Sequence, residues 1–308
     1  MSNYLGIDIG GTSIKYGLYN EYGIEIKKGI QNIKTPKYDL TKLIKIIKNI
    51  IEEFEDIYNI DGIGFSIPGC INPNNGYIKD GGSIRALDKV NIKEILSKEI
   101  DINIEVENDA NCALLAEKWS GNAKKCENFI CITIGTGIGG ALYINDKLVS
   151  GKNYFSGEFG YMIIDNIYDK YKVKTLNSDS STITFIKEVA NKKGINHKIL
   201  NGISVFNMIQ GKDEEIIDIY KNWIRRIAIC IYNLGFIVDP EKVLIGGGIS
   251  SEERFINDIK FELNKLSVEL IKEIGRFDSL SNKWNIEACK HLNEAGKIGA
   301  VYNYIIRN

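Results

Sequence analysis

A chain of 308 residues in which 39 Lys and Arg nearly balance 40 Asp and Glu carries no global field that would draw it to nucleic acid or to an anionic membrane, so any anion it binds must be held by local groups. No apolar run approaches the roughly 20 residues of a membrane span, and the start of the chain lacks a basic region followed by an apolar signal segment; the expected compartment is the cytoplasm. Six scattered cysteines without a Cys-x-x-Cys pair, and only two histidines (His197 and His291), argue against a structural metal site, while the length allows two domains.

In chain order, Leu5, Ile7 and Ile9 form an alternating run that reads as a strand and stops at Gly10-Gly11-Thr12; an extended pattern resumes from Lys15 to Tyr19. Two glycines after a strand let backbone N–H groups approach a phosphate closely, and Thr12 and Ser13 add hydroxyls. Asp8 precedes them, where a carboxylate beside a polyphosphate would hold magnesium. Leu40 to Phe54 has the spacing of an amphipathic helix, and Gly62 to Ile67 reads as a strand that runs into Pro68-Gly69. The turn Asn72 to Gly76 and the loop Asp80-Gly81-Gly82-Ser83 are rich in backbone donors and small polar groups, a composition that suits sugar hydroxyls and also suits plain turns. Ile102, Ile104 and Val106 then alternate as a strand until Asn108 and Asp109, where a helical pattern through Ala110, Leu114 and Lys118 begins. Asp109 therefore stands at a strand's mouth, at or next to a helix N-cap, and serves either as a cap or as a carboxylate offered to a ligand.

About 125 residues after the first hairpin the same unit returns: strand Phe129 to Ile134, turn Gly135-Thr136-Gly137-Ile138-Gly139-Gly140, strand Ala141 to Ile144. Two copies with one strand-and-turn order are an internal repeat, and predict two related halves facing one nucleotide. A third strand, Lys242 to Ile245, ends at Gly246-Gly247-Gly248 and offers another close backbone approach for the adenosine end or the phosphates. Helical patterns cover Ile183 to Lys192, Glu214 to Phe236 and Arg254 to Ile274, and the glycines of the terminal helix from Glu294 to Ile306 read as packing residues. The expected boundary lies near residue 115: residues 1–115, joined by the terminal helix 294–308, form one α/β lobe, and residues 116–293 the other.

Asp8-Ile9-Gly10-Gly11-Thr12, Glu107-Asn108-Asp109-Ala110-Asn111-Cys112-Ala113, Gly135 to Gly140, Gly157-Glu158-Phe159-Gly160 and Gly246-Gly247-Gly248, in this order, resemble the ROK (repressor, open reading frame, kinase) family of sugar kinases over essentially the whole chain. The resemblance implies an α/β fold of the actin-like ATPase (ribonuclease H-like) type, two lobes with ATP and sugar in the cleft. It makes Asp109 the general base that takes the proton of the attacking sugar hydroxyl, with Asn108 and Glu158 on neighbouring hydroxyls and Gly69 and Gly82 in the sugar loops. Asp8, Gly10, Gly11, Thr12, Ser13, Gly135, Thr136, Gly137, Gly139, Gly247 and Gly248 would hold ATP, with magnesium on Asp8. The family's repressors carry a helix-turn-helix before the first hairpin, whereas this chain reaches Asp8 almost at once, so no nucleic-acid partner is expected.

Departures from the family pattern narrow the expectation. Where many family kinases have Glu-x-Gly-His and a cysteine-rich zinc loop, this chain has Tyr161 in place of the histidine and Lys174-Thr175-Leu176-Asn177-Ser178 in place of the loop; the family's sugar-contacting glutamate falls on Asn177. These features look most like the zinc-free β-glucoside kinases, and imply ATP and magnesium without zinc. The expected reaction is phosphorylation of the 6-hydroxyl of the non-reducing glucose in cellobiose, gentiobiose or a related β-glucoside, by a homodimer. A monosaccharide kinase for glucose or N-acetylmannosamine, and a non-catalytic sugar sensor of the same fold, are the alternatives.

Overall fold

The computed structural model describes residues 2–30, 33–165, 173–275 and 284–308. The chain divides into two units: one runs to Lys125 and takes in Leu148–Ser156 and Asn293–Asn308, and the other comprises Cys126–Lys147 and Gly157–Leu292.

In the first unit, period-two alternation buries Leu5, Ile7 and Ile9 on one face of β1 (Asn3–Ile9). It hairpins antiparallel to β2 (Ser13–Asn20), which carries β3 (Glu25–Lys28) and β4 (Ile33–Lys34) on its other edge. On the far side of β1, β5 (Gly62–Ile67) pairs in parallel with register Leu5 to Ile63 and Ile7 to Phe65. Helix α1 (Leu40–Glu55) covers one face of this sheet with Leu43, Ile47, Ile50, Ile51 and Phe54. Each such side chain contributes roughly 1.5–3 kcal/mol by leaving water. A small antiparallel sheet of β6 (Cys70–Asn72), β7 (Tyr77–Asp80) and β8 (Val90–Asn91) follows, then the short helix α2 (Ile92–Leu96). Strand β9 (Ile104–Asn108) closes the main sheet beside β5 and passes directly into α3 (Asp109–Ser120). The C-terminal helix, Ala295–Arg307, packs on α3, β1 and β5. Its glycines are packing residues, as the sequence indicates: a Cβ on Gly299 would lie 1.7 Å from the Cys112 carbonyl oxygen.

The second unit repeats the plan. Strand β10 (Phe129–Ile134) hairpins to β11 (Ile138–Ile144), which pairs with β12 (Lys147–Leu148). A separate antiparallel pair, β13 (Ile163–Asp165) and β14 (Lys174–Thr175), follows in the chain; β15 (Lys242–Gly246) then pairs in parallel with β10, and β16 (Asn285–Ala288) in parallel with β15. The main-sheet order of hairpin partner, hairpin strand, parallel strand and parallel strand is thus the same in both units. Helices α4 (Leu176–Ser180), α5 (Thr182–Lys193), α6 (Gly202–Gln210), α7 (Glu214–Val238) and α8 (Glu253–Ile274) enclose a core in which Phe185, Trp223 and Phe255 stack in series. The polar stretch around Thr175 to Thr182 is helical through α4 because Thr175 and Ser178 form a reciprocal capping box, which satisfies two N-terminal N–H groups without any apolar period. Among the described residues no helix is long and apolar enough to cross a membrane.

Candidate active site

The sites of the two units are built separately. In the first, β9 delivers Asn108 and Asp109 to the start of α3. The cap is Asn108: its Oδ1 accepts the N–H groups of Ala110 (2.8 Å) and Asn111 (3.1 Å), a contribution of about 1 kcal/mol. Asp109 is the first helical residue, and its Oδ1 accepts from Ala110 N–H at 2.9 Å. The capping role that the sequence leaves open for Asp109 therefore falls to its neighbour.

Asn108 also binds the loop that follows β5. Its Nδ2 donates to the Gly69 carbonyl at 2.9 Å, which leaves one amide hydrogen for a ligand. Gly69 has φ 103°, and a Cβ there would lie 2.0 Å from the Asp80 carbonyl oxygen, so only glycine brings the two loops this close. Gly82 donates its N–H to Asp80 Oδ1 at 2.7 Å, and Gly81 donates to Asp88 Oδ1 at 2.8 Å. Beneath this layer Glu107 is fully buried; its Oε1 accepts from Asn108 N–H (2.8 Å) and Asn111 Nδ2 (2.9 Å). Burial pushes its carboxyl above the ordinary carboxylate range, against those two hydrogen bonds.

The first glycine hairpin, Gly10 to Ser13, closes with Gly10 N–H on the Ser13 carbonyl at 3.1 Å and is braced by Thr35, whose hydroxyl donates to the Gly10 carbonyl at 2.6 Å. Asp8 lies just ahead of it. Its Oδ1 accepts from Ser66 Oγ at 2.8 Å, and its Oδ2 faces Lys15 Nζ at 3.8 Å. The first turn of the C-terminal helix reaches it too, since a Cβ at Gly296 would lie 2.5 Å from the Asp8 carboxyl carbon. Desolvation raises the Asp8 carboxyl above its ordinary value, while the Ser66 hydroxyl, Lys15 and Lys297 work in the opposite direction. A single, mostly buried carboxylate with one oxygen not taken by a hydroxyl fits a magnesium ion that shares its coordination with phosphates and water.

In the second unit, Gly135 to Gly137 form the matching turn, closed by Gly135 N–H on the Gly137 carbonyl at 2.9 Å. Gly247, at φ 97°, sits against it, where a Cβ would be 2.1 Å from the Ile134 carbonyl oxygen. Gly135, Thr136 and Gly248 line a cavity of about 520 Å³ whose walls are Ile183, Ile186, Ile203 and Phe206, with Asn201 and Glu252 at polar positions. The volume and the mix of flat apolar walls with few polar groups suit a nucleoside. Of these residues only the glycines and Thr136 carry a sequence signal; the apolar walls come from two separate helices, α5 and α6, and belong to ordinary amphipathic patterns.

Glu158 and Tyr161 belong to this second unit, in the segment that packs on β11. Burial raises the Glu158 carboxyl above its ordinary value. Tyr161 is 73% exposed, in a short 3-10 turn, Phe159–Tyr161. Asn177, which the family pattern associates with the sugar, uses its Oδ1 to accept Ile138 N–H at 2.9 Å and so pins the second hairpin. Gly139 lies on β11 just past that bond. Asp8, Gly10, Gly11, Thr12, Ser13, Gly69, Gly82, Asn108 and Asp109 are thus gathered in the first unit, and the remaining expected site residues in the second.

A glycine hairpin duplicated on two like sheets, a nucleoside-sized cavity beside one copy, and a helix-start carboxylate on the sheet that bears the other define an ATP-dependent phosphotransferase of the actin-like ATPase fold. Residues 4–305 match the ROK family, and the chain belongs to it. The β-glucoside kinase of Listeria innocua is 35% identical over 303 residues, covering 97% of this chain and 96% of that protein. Lmo2764 of Listeria monocytogenes, a proposed N-acetylmannosamine kinase, superposes with a TM-score of 0.85 at 33% identity and 99% coverage of both chains. A ROK family protein from Streptococcus pneumoniae TIGR4, solved in complex with sucrose, gives a TM-score of 0.85 at 27% identity over 99% of this chain and 98% of that one.

Proposed function

We infer that this chain transfers the γ-phosphoryl group of ATP to the 6-hydroxyl of a sugar, and that its preferred acceptor is the non-reducing glucose of a β-glucoside such as cellobiose or gentiobiose. The observation that carries the chemistry is the strand-to-helix junction at the start of α3, where Asn108 takes the cap and Asp109 follows as the first helical residue. Support for the acceptor comes from the 35% identity to the Listeria innocua β-glucoside kinase over nearly the whole of both chains. The structural likeness to the proposed N-acetylmannosamine kinase favours a second reading, a monosaccharide acceptor.

In this reading Asp109 accepts the proton as the O6–H bond breaks, O6 forms its bond to the γ-phosphorus, and the bond to the bridging oxygen breaks to release ADP. Phosphoryl transfer asks the protein mainly for positioning and charge stabilisation. Asn108 and Glu158 orient neighbouring hydroxyls, Gly69 and Gly82 offer backbone groups to the sugar, and the two glycine hairpins with Gly247 and Gly248 hold the nucleotide. Asp8 would hold magnesium, which when bound neutralises phosphate charge. We infer no zinc, because Tyr161 stands where the family's histidine would be and no cysteine lies between Cys131 and Cys230. The reading includes a homodimer, and ATP as donor supports a cytoplasmic setting.

A coupled ADP-release assay over glucose, cellobiose, gentiobiose, N-acetylglucosamine and N-acetylmannosamine tests the proposal. The expected order puts a β-glucoside first in kcat/KM. Preference for a monosaccharide over every β-glucoside would replace the acceptor, and no turnover with any sugar would remove the kinase.

A further inference from the structure

The stretch Leu148–Ser156 follows the second hairpin in sequence yet belongs to the first unit. There it is tied to the small sheet of β6, β7 and β8. The Cys70 thiol donates to the Asn153 carbonyl at 3.5 Å, and the Lys79 ammonium stands 5.6 Å from the centre of the Phe155 ring. Phe155 itself is 48% exposed. The residue before it, Tyr154, has φ 62°, a left-handed conformation that a bulky side chain rarely adopts, so the surrounding contacts hold the chain in a costly reversal immediately ahead of the phenyl ring.

The anchors of this ring are the neighbours of the sugar loops. Cys70 follows Gly69, whose carbonyl Asn108 holds. Lys79 precedes Asp80, whose carboxylate holds Gly82 N–H. An exposed phenyl ring with the Lys79 ammonium over one face, on a segment that Cys70 holds two residues earlier, offers its other face as a flat apolar surface beside a hydrogen-bond donor. A pyranose ring or aryl group presents the complementary pair, an apolar face and, for a sugar, hydroxyls around its rim. We propose that Phe155, backed by Lys79, is the platform for the ring β-linked to the phosphorylated sugar, and that it sets the preference for β-glucosides over free glucose. This rests on the kinase reading above and adds to it a residue outside every motif of the family pattern.

The test compares the ratio of kcat/KM for cellobiose to that for glucose in the wild type, Phe155→Ala, Phe155→Leu and Phe155→Trp. Leu keeps most of the volume and removes the aromatic face, whereas Trp keeps the face. The ratio should fall roughly threefold to tenfold in the Ala and Leu variants, through KM for the disaccharide, and return toward the wild-type value in the Trp variant. An unchanged ratio in both Ala and Leu variants, in an enzyme that turns over cellobiose, would overturn the platform and leave the kinase intact. A wild type that phosphorylates glucose and no β-glucoside would overturn the platform together with the proposed acceptor.

Discussion

The two glycine hairpins descend from one plan and do different work. Ile9 pairs with Ile14 around a turn from Gly10 to Ser13, while Ile134 pairs with Ile138 around the shorter turn from Gly135 to Gly137. One residue before the end of its strand, the first carries Asp8 and the second Thr133. The first is thus a charged hairpin, seated by Ser66 and Lys15 and braced by Thr35. The second is a neutral one, pinned through Ile138 by Asn177 and backed by Gly247 and an apolar cavity. A duplicated backbone can supply N–H donors twice, but a reaction among polyanions needs a carboxylate to hold a cation in one place only. In the proposed reading, the repeat supplies a phosphate cradle twice, and the carboxylate that would hold a cation stands on one copy only.

The sharpest break of this asymmetry lies on the sheet of the charged hairpin, at α3. Asp109→Asn keeps shape and hydrogen-bonding capacity but cannot take a proton, so kcat should fall by about 10²–10⁴ with sugar affinity within a few-fold of wild type. Turnover within threefold of wild type would remove Asp109 from the mechanism. At the charged hairpin itself, Asp8→Ala should raise the magnesium concentration needed for ATP binding by roughly tenfold, about 1.4 kcal/mol, as read by calorimetric titration of ATP at several magnesium levels. An unchanged magnesium dependence would count against a divided role for the two hairpins.

At the neutral hairpin the effect should be smaller and of another kind. Asn177→Ala strips the acceptor from Ile138 N–H, a loss of about 1 kcal/mol, and should weaken ATP by roughly fivefold while sparing sugar affinity. A loss confined to the sugar would restore to Asn177 the anomeric contact that the family pattern implies. The smallest expected effect concerns Glu107. Its folded-state carboxyl is raised above the ordinary 4.5, so its ionisation costs the native state stability as pH climbs through that raised value. Glu107→Gln has no such loss. The difference in Tm, variant minus wild type, should therefore move in the variant's favour as pH rises above about 4.5, and a constant difference would show that burial does not govern this group.

How much of this was written in the sequence depends on whether the signal is local. Alternation of Leu5, Ile7 and Ile9 into a glycine pair is a local signal, and it located the hairpin and Asp8 together. The return of the pattern from Phe129 likewise showed the repeat, and the break at Asn108 and Asp109 showed the strand-to-helix junction. What stayed hidden are bonds between residues far apart in the chain. Thr35 on the Gly10 carbonyl, Ser66 on Asp8 and Asn177 on Ile138 are single polar contacts that leave no period. Helix α6 was missed because nine residues opening on a glycine carry too few turns to show a stripe. The membership of Leu148–Ser156 in the first unit has no local mark at all, which is why Phe155 does not stand out in the sequence.

The central claim, that the phosphoryl group of ATP goes to the 6-hydroxyl of a non-reducing glucose, is tested most directly by locating the phosphate in the product. Cellobiose and ATP are incubated with the enzyme, and the purified product is examined by phosphorus–proton correlation NMR. The account predicts one phosphorus signal coupled to the two methylene protons of carbon 6 in the non-reducing ring. Coupling to a single ring proton, to an anomeric proton, or to the methylene of the reducing ring would contradict it.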